Sequence, residues 1–313
     1  MLRLVIRRLA LAVPLVFVVS FITFGLVALT PGDPAVDLLG TSASRAADAA
    51  LDRQLGFNRS IWVQYWHWLE KAVHGNFGVS LLNQQAVTTQ LNQRLPVTLA
   101  LVIGATLVAA VGGIALGTLS ATHGVRVGRT TDAFAMLGFA IPTFWLGIVL
   151  VDIFAVKLPL LPATGWVPLS QSAWGWLKSL VLPVVTLGAG GITAVTKQTR
   201  DAMRETLTRE YVYALRADGV AEWRIVYVHA LRNAAIPILT LLGTIFVGLL
   251  GGSVIVEQVF TLPGLGSLAV TATQAHDLPV IEGIAVYFAL GVVVVNLAVD
   301  LLYGWLNPKA RVS

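Results

Sequence analysis

The sequence contains no cysteine and little charge. Of its 313 residues none is cysteine, 12% are Asp, Glu, Lys or Arg, and 56% are hydrophobic. The absence of cysteine excludes disulfides and thiolate metal or redox sites. A soluble domain has about a quarter of its residues charged, so a water-soluble fold would leave much of this apolar surface exposed. The composition therefore predicts an all-α polytopic membrane protein, and the net charge of +5 requires no nucleic-acid partner.

The sequence also lacks the patterns that carry common catalytic chemistry. None of its lysines follows a glycine, so there is no P-loop to cradle nucleotide phosphates. The five histidines are scattered, and none has a helical partner at zinc-ligand spacing. We therefore expect no catalytic, cofactor-binding or metal-binding residue in this chain, and we do not expect it to be an enzyme.

Long stretches without charge define the predicted membrane spans. They cover residues 9–32, 95–125, 133–151, 179–196, 233–256 and 283–299. Each is close to the roughly 20 residues that a helix needs to cross a bilayer, so six transmembrane helices are predicted. A further uncharged stretch, 258–276, contains Pro263 and several threonines, and we interpret it as an ordered loop or a re-entrant segment.

These stretches also predict how the spans pack and how they work. They are rich in glycine, which favours close helix packing, and Pro142 and Pro183 are expected to kink the third and fourth spans. The middles of all six stretches contain no Asp, Glu, Lys, Arg or His. Proton-coupled carriers place such residues inside the membrane. The pattern therefore argues against an ion-coupled carrier that works alone, and indicates an energy source outside the chain.

The distribution of basic residues predicts the orientation. Placing the N-terminus in the cytoplasm puts 14 of the 21 Lys and Arg residues there. Both termini are therefore predicted to be cytoplasmic. The first span is longer than the apolar core of a signal peptide, and no clear cleavage site follows it, so an uncleaved first helix is expected.

The chain divides into three predicted parts. Residues 1–32 hold the N-terminus and the first span, 33–94 form an external segment, and 95–313 form the core with the other five spans. Within the external segment, apolar and aromatic residues recur at helical spacing, which predicts an interfacial helix: Ile61, Trp62, Tyr65, Trp66, Leu69 and Val73. Its role is left open between a lid over the spans and a receiver of delivered substrate.

Residues 197–237, which we call the polar segment, form the longest polar helical stretch of the sequence. Met203, Leu207, Tyr211 and Leu215 recur every four positions, which predicts an amphipathic helix that Gly219 interrupts. A second pattern after Gly219 places four residues on one helix face: Val220, Trp223, Tyr227 and Leu231. Pro237 then opens the next apolar run. A membrane protein with so long a polar helical segment is expected to dock a partner with it.

The polar segment resembles the EAA loop of the permease subunits of ABC importers, of the dipeptide, oligopeptide and nickel type. The similarity rests on 211–219 and on 229–237, although the glutamate and second alanine of the general pattern are Tyr213 and Leu215 here. Other matching stretches follow the family's order along the chain: 31–34, 75–80, 94–98, 257–283, 300–303 and 307–309.

The resemblance implies a type I ABC importer permease in the bacterial cytoplasmic membrane. A homologous second permease would complete the pathway, two cytoplasmic ATPase subunits would bind ATP and Mg²⁺, and an external binding protein would deliver substrate. The residues implied to couple this chain to an ATPase surround Gly219: Ala214, Arg216, Ala217, Asp218, Gly219, Val220, Glu222, Trp223 and Arg224. Peptides are the expected cargo, with nickel and glutathione as alternatives.

Overall fold

The computed structural model describes residues 2–28, 59–123 and 140–306, together with residues 128, 130, 133 and 138. Several predicted features fall outside these residues: the 31–34 and 307–309 stretches, most of the first half of the third span, and residues 33–58 of the external segment. The described chain is helical, and its one strand-like contact is an isolated antiparallel bridge between Val79 and Ala86.

The helices are numbered in chain order. α1 is Leu2–Ala28, α2 Ile61–Val73, α3 Val87–Thr122, α4 Thr143–Val151, α5 Ala173–Leu207 and α6 Glu210–Ala217. α7 is Glu222–Val259, α8 Leu265–Gln274 and α9 Leu278–Leu306. A π-helical turn, Asp152–Lys157, continues α4, and another, Ile225–Ala230, lies within α7. Asp152 and Lys157 form an ion pair of 2.6 Å on the exposed surface.

Five helices in the described residues are long and apolar enough to cross a membrane: α1, α3, α5, α7 and α9. Each overlaps one of the six predicted stretches, and α5, α7 and α9 contain theirs completely. The third stretch is described only in part, as α4. Residues 258–276 were not predicted to span the membrane, and the helix within them, α8, is consistent with this. Its 10 residues are about half of what a bilayer crossing needs.

Two prolines lie where the predicted spans meet other structure. Pro142 is the N-cap of α4, and residues 141 and 142 separate α4 from the helical residues 138 and 140 before it, so the third span is interrupted at this proline. Pro237, the first residue of the apolar run, lies inside α7, which is already helical from Glu222.

The membrane helices also extend past the charges that bounded the predicted stretches. α7 includes Glu257 and α9 includes Glu282, and both side chains are buried. Thr98 Oγ1 donates a hydrogen bond of 2.7 Å to Glu257 Oε1. The predicted stretches are free of charge, but the helices that overlap them are not. A charged residue can be buried in such a helix when its neighbours accommodate it, and hydropathy alone does not detect this.

The chain divides into two compact units. The larger contains Thr98–Leu262 and Val295–Ser313, and the smaller contains Leu2–Val97 and Pro263–Val294. In the larger unit α3 and α5 approach closely through small residues. A Cβ added to Gly113 would lie 2.4 Å from Val195 Cβ, and one added to Gly188 would lie 2.9 Å from the Ala105 carbonyl oxygen. These contacts agree with the prediction of close glycine packing.

In the smaller unit, a tight loop before α3 is held by a buried carboxylate. Asp277 accepts hydrogen bonds from the Ser80 hydroxyl and, at 3.1 Å, from the Leu81 amide. Phe77, Val87 and Leu91 pack beneath this loop, in one hydrophobic cluster with residues of α8 and α9. The 75–80 stretch that carries part of the family resemblance is thus a fixed loop.

Candidate functional site

A break at Thr208 divides the first half of the polar segment. α5 ends at Leu207, Arg209 has extended backbone, and α6 begins at Glu210. The Thr208 hydroxyl donates to the Glu205 carbonyl oxygen at 2.9 Å, a local bond that competes with helix continuation. The prediction of one continuous helix up to Gly219 was therefore wrong. The four apolar residues of the predicted pattern are divided between the two helices, Met203 and Leu207 in α5 and Tyr211 and Leu215 in α6.

Gly219 ends α6 in a tight turn. Its φ is +75°, a left-handed conformation that glycine adopts without the steric cost of a Cβ. The Val220 amide donates to the Leu215 carbonyl at 3.0 Å, and the Gly219 amide donates to the Arg216 carbonyl at 3.1 Å. These two bonds form a Schellman motif, which satisfies carbonyls left open at the helix end. The predicted interruption at Gly219 is confirmed.

An ion pair closes the turn from outside. The Arg216 guanidinium donates to both carboxylate oxygens of Glu222, with Nη2–Oε1 at 2.6 Å and Nε–Oε2 at 3.1 Å. The shared hydrogen bonds lower the pKa of Glu222 and raise the pKa of Arg216. Glu222 is also the first residue of α7, where a negative charge interacts favourably with the helix dipole. The turn therefore holds the start of α7 against the end of α6.

α6 is attached to α7 a second time, farther from the turn. The Asn233 amide donates to the Tyr211 hydroxyl at 2.9 Å and to the His229 carbonyl oxygen at 3.1 Å. Val212, the next residue of α6, is completely buried. The ion pair and this hydrogen bond fix both ends of α6, so the loop around Gly219 is short and constrained.

The start of α7 has one buried face and one exposed aromatic face. Ile225, Val226 and Ala230 are buried, and Val226 and Ala230 pack in one cluster with Met203 of α5. Trp223 and Tyr227 are 63% and 60% exposed. Exposed large apolar side chains grouped in this way are typical of interaction surfaces. Trp223 and Tyr227 of the second apolar pattern thus lie on the outward face of α7, whereas Leu231 of the same pattern packs against the buried cluster.

The predicted coupling residues occupy this one turn. All of them are exposed except Val220, which is half-buried. Arg216, predicted as a contact for a partner, is instead engaged with Glu222. The sequence signal for that pair was a set of opposite charges on either side of a glycine. Asn233 and Tyr211 were also missed, because residues 22 positions apart meet only after Gly219 reverses the chain.

Comparison with known proteins identifies the family. Residues 109–312 match the family described as binding-protein-dependent transport system inner membrane component, and residues 1–102 match the N-terminal family of the same membrane components. Together the two matches cover nearly the whole chain.

Named relatives and one solved structure agree with this match. A putative peptide transport system permease protein of Brucella abortus (strain 2308) is 38% identical over 309 residues, 98% of each chain. The glutathione transport system permease protein GsiC of Escherichia coli (strain K12) is 37% identical over 312 residues, 99% of each chain.

The fold is similar to that of an inward-facing structure of the MetNI methionine ABC transporter. The TM-score is 0.57 at 20% identity, covering 69% of this chain and 96% of that chain. The chain therefore belongs to the binding-protein-dependent transport system inner membrane components, as a multi-pass permease subunit of an ABC importer of the dipeptide and oligopeptide type.

Proposed function

We propose that this chain forms half of the pathway of a peptide importer and receives the force of ATP hydrolysis at the turn around Gly219. A homologous second permease forms the other half, two cytoplasmic ATPase subunits bind ATP and Mg²⁺, and an external binding protein delivers the peptide. The chain has six transmembrane helices in a type I arrangement, with both termini in the cytoplasm. The third helix includes α4, Thr143–Val151.

One observation carries the coupling role: a constrained turn presents exposed aromatic side chains. Trp223 projects from the first turn of α7, immediately after a Schellman motif and an ion pair that fix its position. A partner that binds Trp223 displaces the start of α7, and the displacement is passed along the helix because α7 is continuous from Glu222 to Val259. The same helix that is touched at its cytoplasmic end therefore moves within the membrane.

The cargo is proposed to be a peptide. A relative 38% identical is named a peptide permease, and one 37% identical is named a glutathione permease. Glutathione is itself a small peptide, so both names indicate a short chain with amide bonds and charged ends. Glutathione import is the second candidate, favoured by that relative, and the binding ability of the partner binding protein distinguishes the two.

Substitution of the docking residues tests the coupling role. Trp223→Ala with Arg224→Glu removes an exposed aromatic side chain and reverses a charge without touching the buried face of α7. We expect the assembled transporter to lose at least tenfold of its substrate-stimulated ATP hydrolysis, while membrane insertion is retained. Gly219→Pro is expected to act in the same way, because proline cannot adopt a φ of +75°.

A matched control is Trp174→Ala. Trp174 is exposed to the same degree as Trp223, at 65% against 63%, but lies at the start of α5. It is expected to keep normal stimulation. If the Trp223 and Arg224 variant keeps normal stimulation as well, the turn is not the coupling site.

A further inference from the structure

α1 and α2 enclose an apolar groove that the proposed function does not use. Phe17 and Phe21 of α1 form one wall, Trp62 and Trp66 of α2 form the other, and the volume is about 420 Å³. Val63, Tyr65 and His67 complete the lining. We call this the aromatic groove. Its volume lies within the range of pockets that hold small organic ligands, about 300–1,000 Å³.

Tyr65 fixes the floor of the aromatic groove. Its ring lies edge-on against Phe17 and Phe21, with centroid distances of 5.8 and 5.4 Å. Its hydroxyl lies 3.0 Å from the Ser20 hydroxyl, and burial raises the pKa of this phenol, which keeps it protonated. The two helices are thus held together below the groove, and the groove is a built feature of this unit.

The walls of the aromatic groove are left open to the surroundings. Trp62 is 70% exposed and Trp66 is 65% exposed, and the lining consists almost wholly of apolar atoms. α1 is a membrane span with side chains exposed along its length, Val13 at 71% among them. Because tryptophan is enriched where a membrane meets water, the groove lies where a lipid chain is the most abundant apolar ligand.

One end of the aromatic groove is basic. Arg59 Nη1 donates to His67 Nε2 at 3.2 Å, and His67 lines the groove. Lys71 is exposed one helical turn beyond His67. Among the ion pairs of the described residues, none places a carboxylate on Arg59, His67 or Lys71. An anionic group at this end would meet a guanidinium and the remaining N–H of an imidazole.

We propose that the aromatic groove binds a phospholipid with an anionic headgroup. One acyl chain lies between the phenylalanines of α1 and the tryptophans of α2, and the headgroup phosphate contacts Arg59 and His67. An apolar groove with cationic groups at one end matches an amphiphile with an acyl tail and an anionic head, and Lys or Arg near a membrane surface attracts anionic lipids. The bound lipid fills the space that the described residues of α1 and α2 leave between them.

Native mass spectrometry of the purified full-length chain tests this site. The chain is titrated with phosphatidylglycerol and, separately, with phosphatidylcholine of the same acyl length. We expect the anionic lipid to bind about fivefold more tightly, the effect of about one basic side chain at a membrane surface. Arg59→Gln is expected to remove that preference, and Val63→Trp is expected to abolish the bound lipid by filling the groove without removing an aromatic wall.

Trp174→Ala is the matched control. Trp174 is as exposed as Trp66, at 65%, and lies beside the Lys178 amino group, 5.3 Å from its ring, but it lines no part of the groove. It is expected to leave lipid binding unchanged. Thermal unfolding of each variant checks that the fold is retained.

Three results would overturn the proposal. Equal affinity for the two lipids would show that the site does not recognise an anionic headgroup. Undiminished binding by a folded Val63→Trp variant would show that the lipid does not bind in the aromatic groove. The third is a cysteine cross-link from Trp66→Cys to a second permease subunit in the assembled transporter, which would make the groove a protein interface instead.

Discussion

At the scale of single residues, the site depends on Gly219 and on the ion pair that spans it. Gly219 has a φ of +75°, and no atom lies within 4 Å of where a Cβ would be. The position therefore requires glycine for its backbone conformation and not for lack of space. The ion pair between Arg216 and Glu222 is exposed, at 40% and 58% of the two side chains. An exposed pair contributes about 0.2–1 kcal/mol, so its value lies in fixing the turn more than in overall stability.

Charge reversal tests the role of this pair. Arg216→Glu and Glu222→Arg each place like charges across the turn, and the double variant restores an opposite pair. We expect each single variant to speed amide hydrogen exchange of residues 216–224 by up to about fivefold, the equivalent of about 1 kcal/mol, and the double variant to return close to the native rate. Equal rates in all four proteins at neutral pH would contradict a role for the pair in fixing the turn.

The pH dependence of the pair has a defined sign. Hydrogen bonding from Arg216 lowers the pKa of Glu222 below its ordinary value of 4.5. The contribution of the pair is therefore complete above that value and is lost as the pH falls through the lowered pKa. The ratio of the exchange rates of Arg216→Glu and the native chain, measured at the same pH, should accordingly approach one in acid and stay constant around neutral pH.

At the scale of helices, most elements could be predicted from hydropathy, but not their ends or their buried polar groups. Five charge-free stretches coincide largely with α1, α3, α5, α7 and α9. Each helix is longer than its stretch, because a charged residue such as Glu257 remains helical when a partner such as Thr98 satisfies it. Likewise, the break at Thr208 depends on one side-chain hydrogen bond that a four-residue periodicity does not detect.

The glycines of α3 and α5 give a prediction at this scale. Gly113→Ala would place a Cβ 2.4 Å from Val195 Cβ and 3.1 Å from the Ile192 carbonyl oxygen. We expect it to destabilise the fold by about 1–3 kcal/mol, as overpacking does in other cores, measured by thermal unfolding in detergent. Gly190→Ala is the control, because nothing lies within 4 Å of its added Cβ. A Gly113→Ala variant as stable as the control would show that the helices separate freely.

At the scale of the whole molecule, the orientation in the membrane is a prediction from the basic residues, and the proposed cytoplasmic place of the polar segment depends on it. The chain has no cysteine, so a single introduced thiol is unambiguous. Ser60 is suited to this test, because it precedes α2 and its hydroxyl makes no capping bond.

We expect Ser60→Cys to react in intact cells with a thiol reagent that cannot cross the membrane. Ala214→Cys, an exposed position of α6, should react only after permeabilisation. The reverse pattern would place the termini outside and would remove the polar segment from any cytoplasmic ATPase.

The proposed coupling role requires that Trp223 contacts an ATPase subunit in the assembled transporter. A photo-crosslinking amino acid in place of Trp223, at 63% exposure, reports that contact directly, and the same amino acid in place of Trp174, at 65% exposure, is the control. We expect an adduct of this chain with the ATPase from position 223 and none from position 174. A transporter that assembles and hydrolyses ATP but gives no ATPase adduct from position 223 would contradict it.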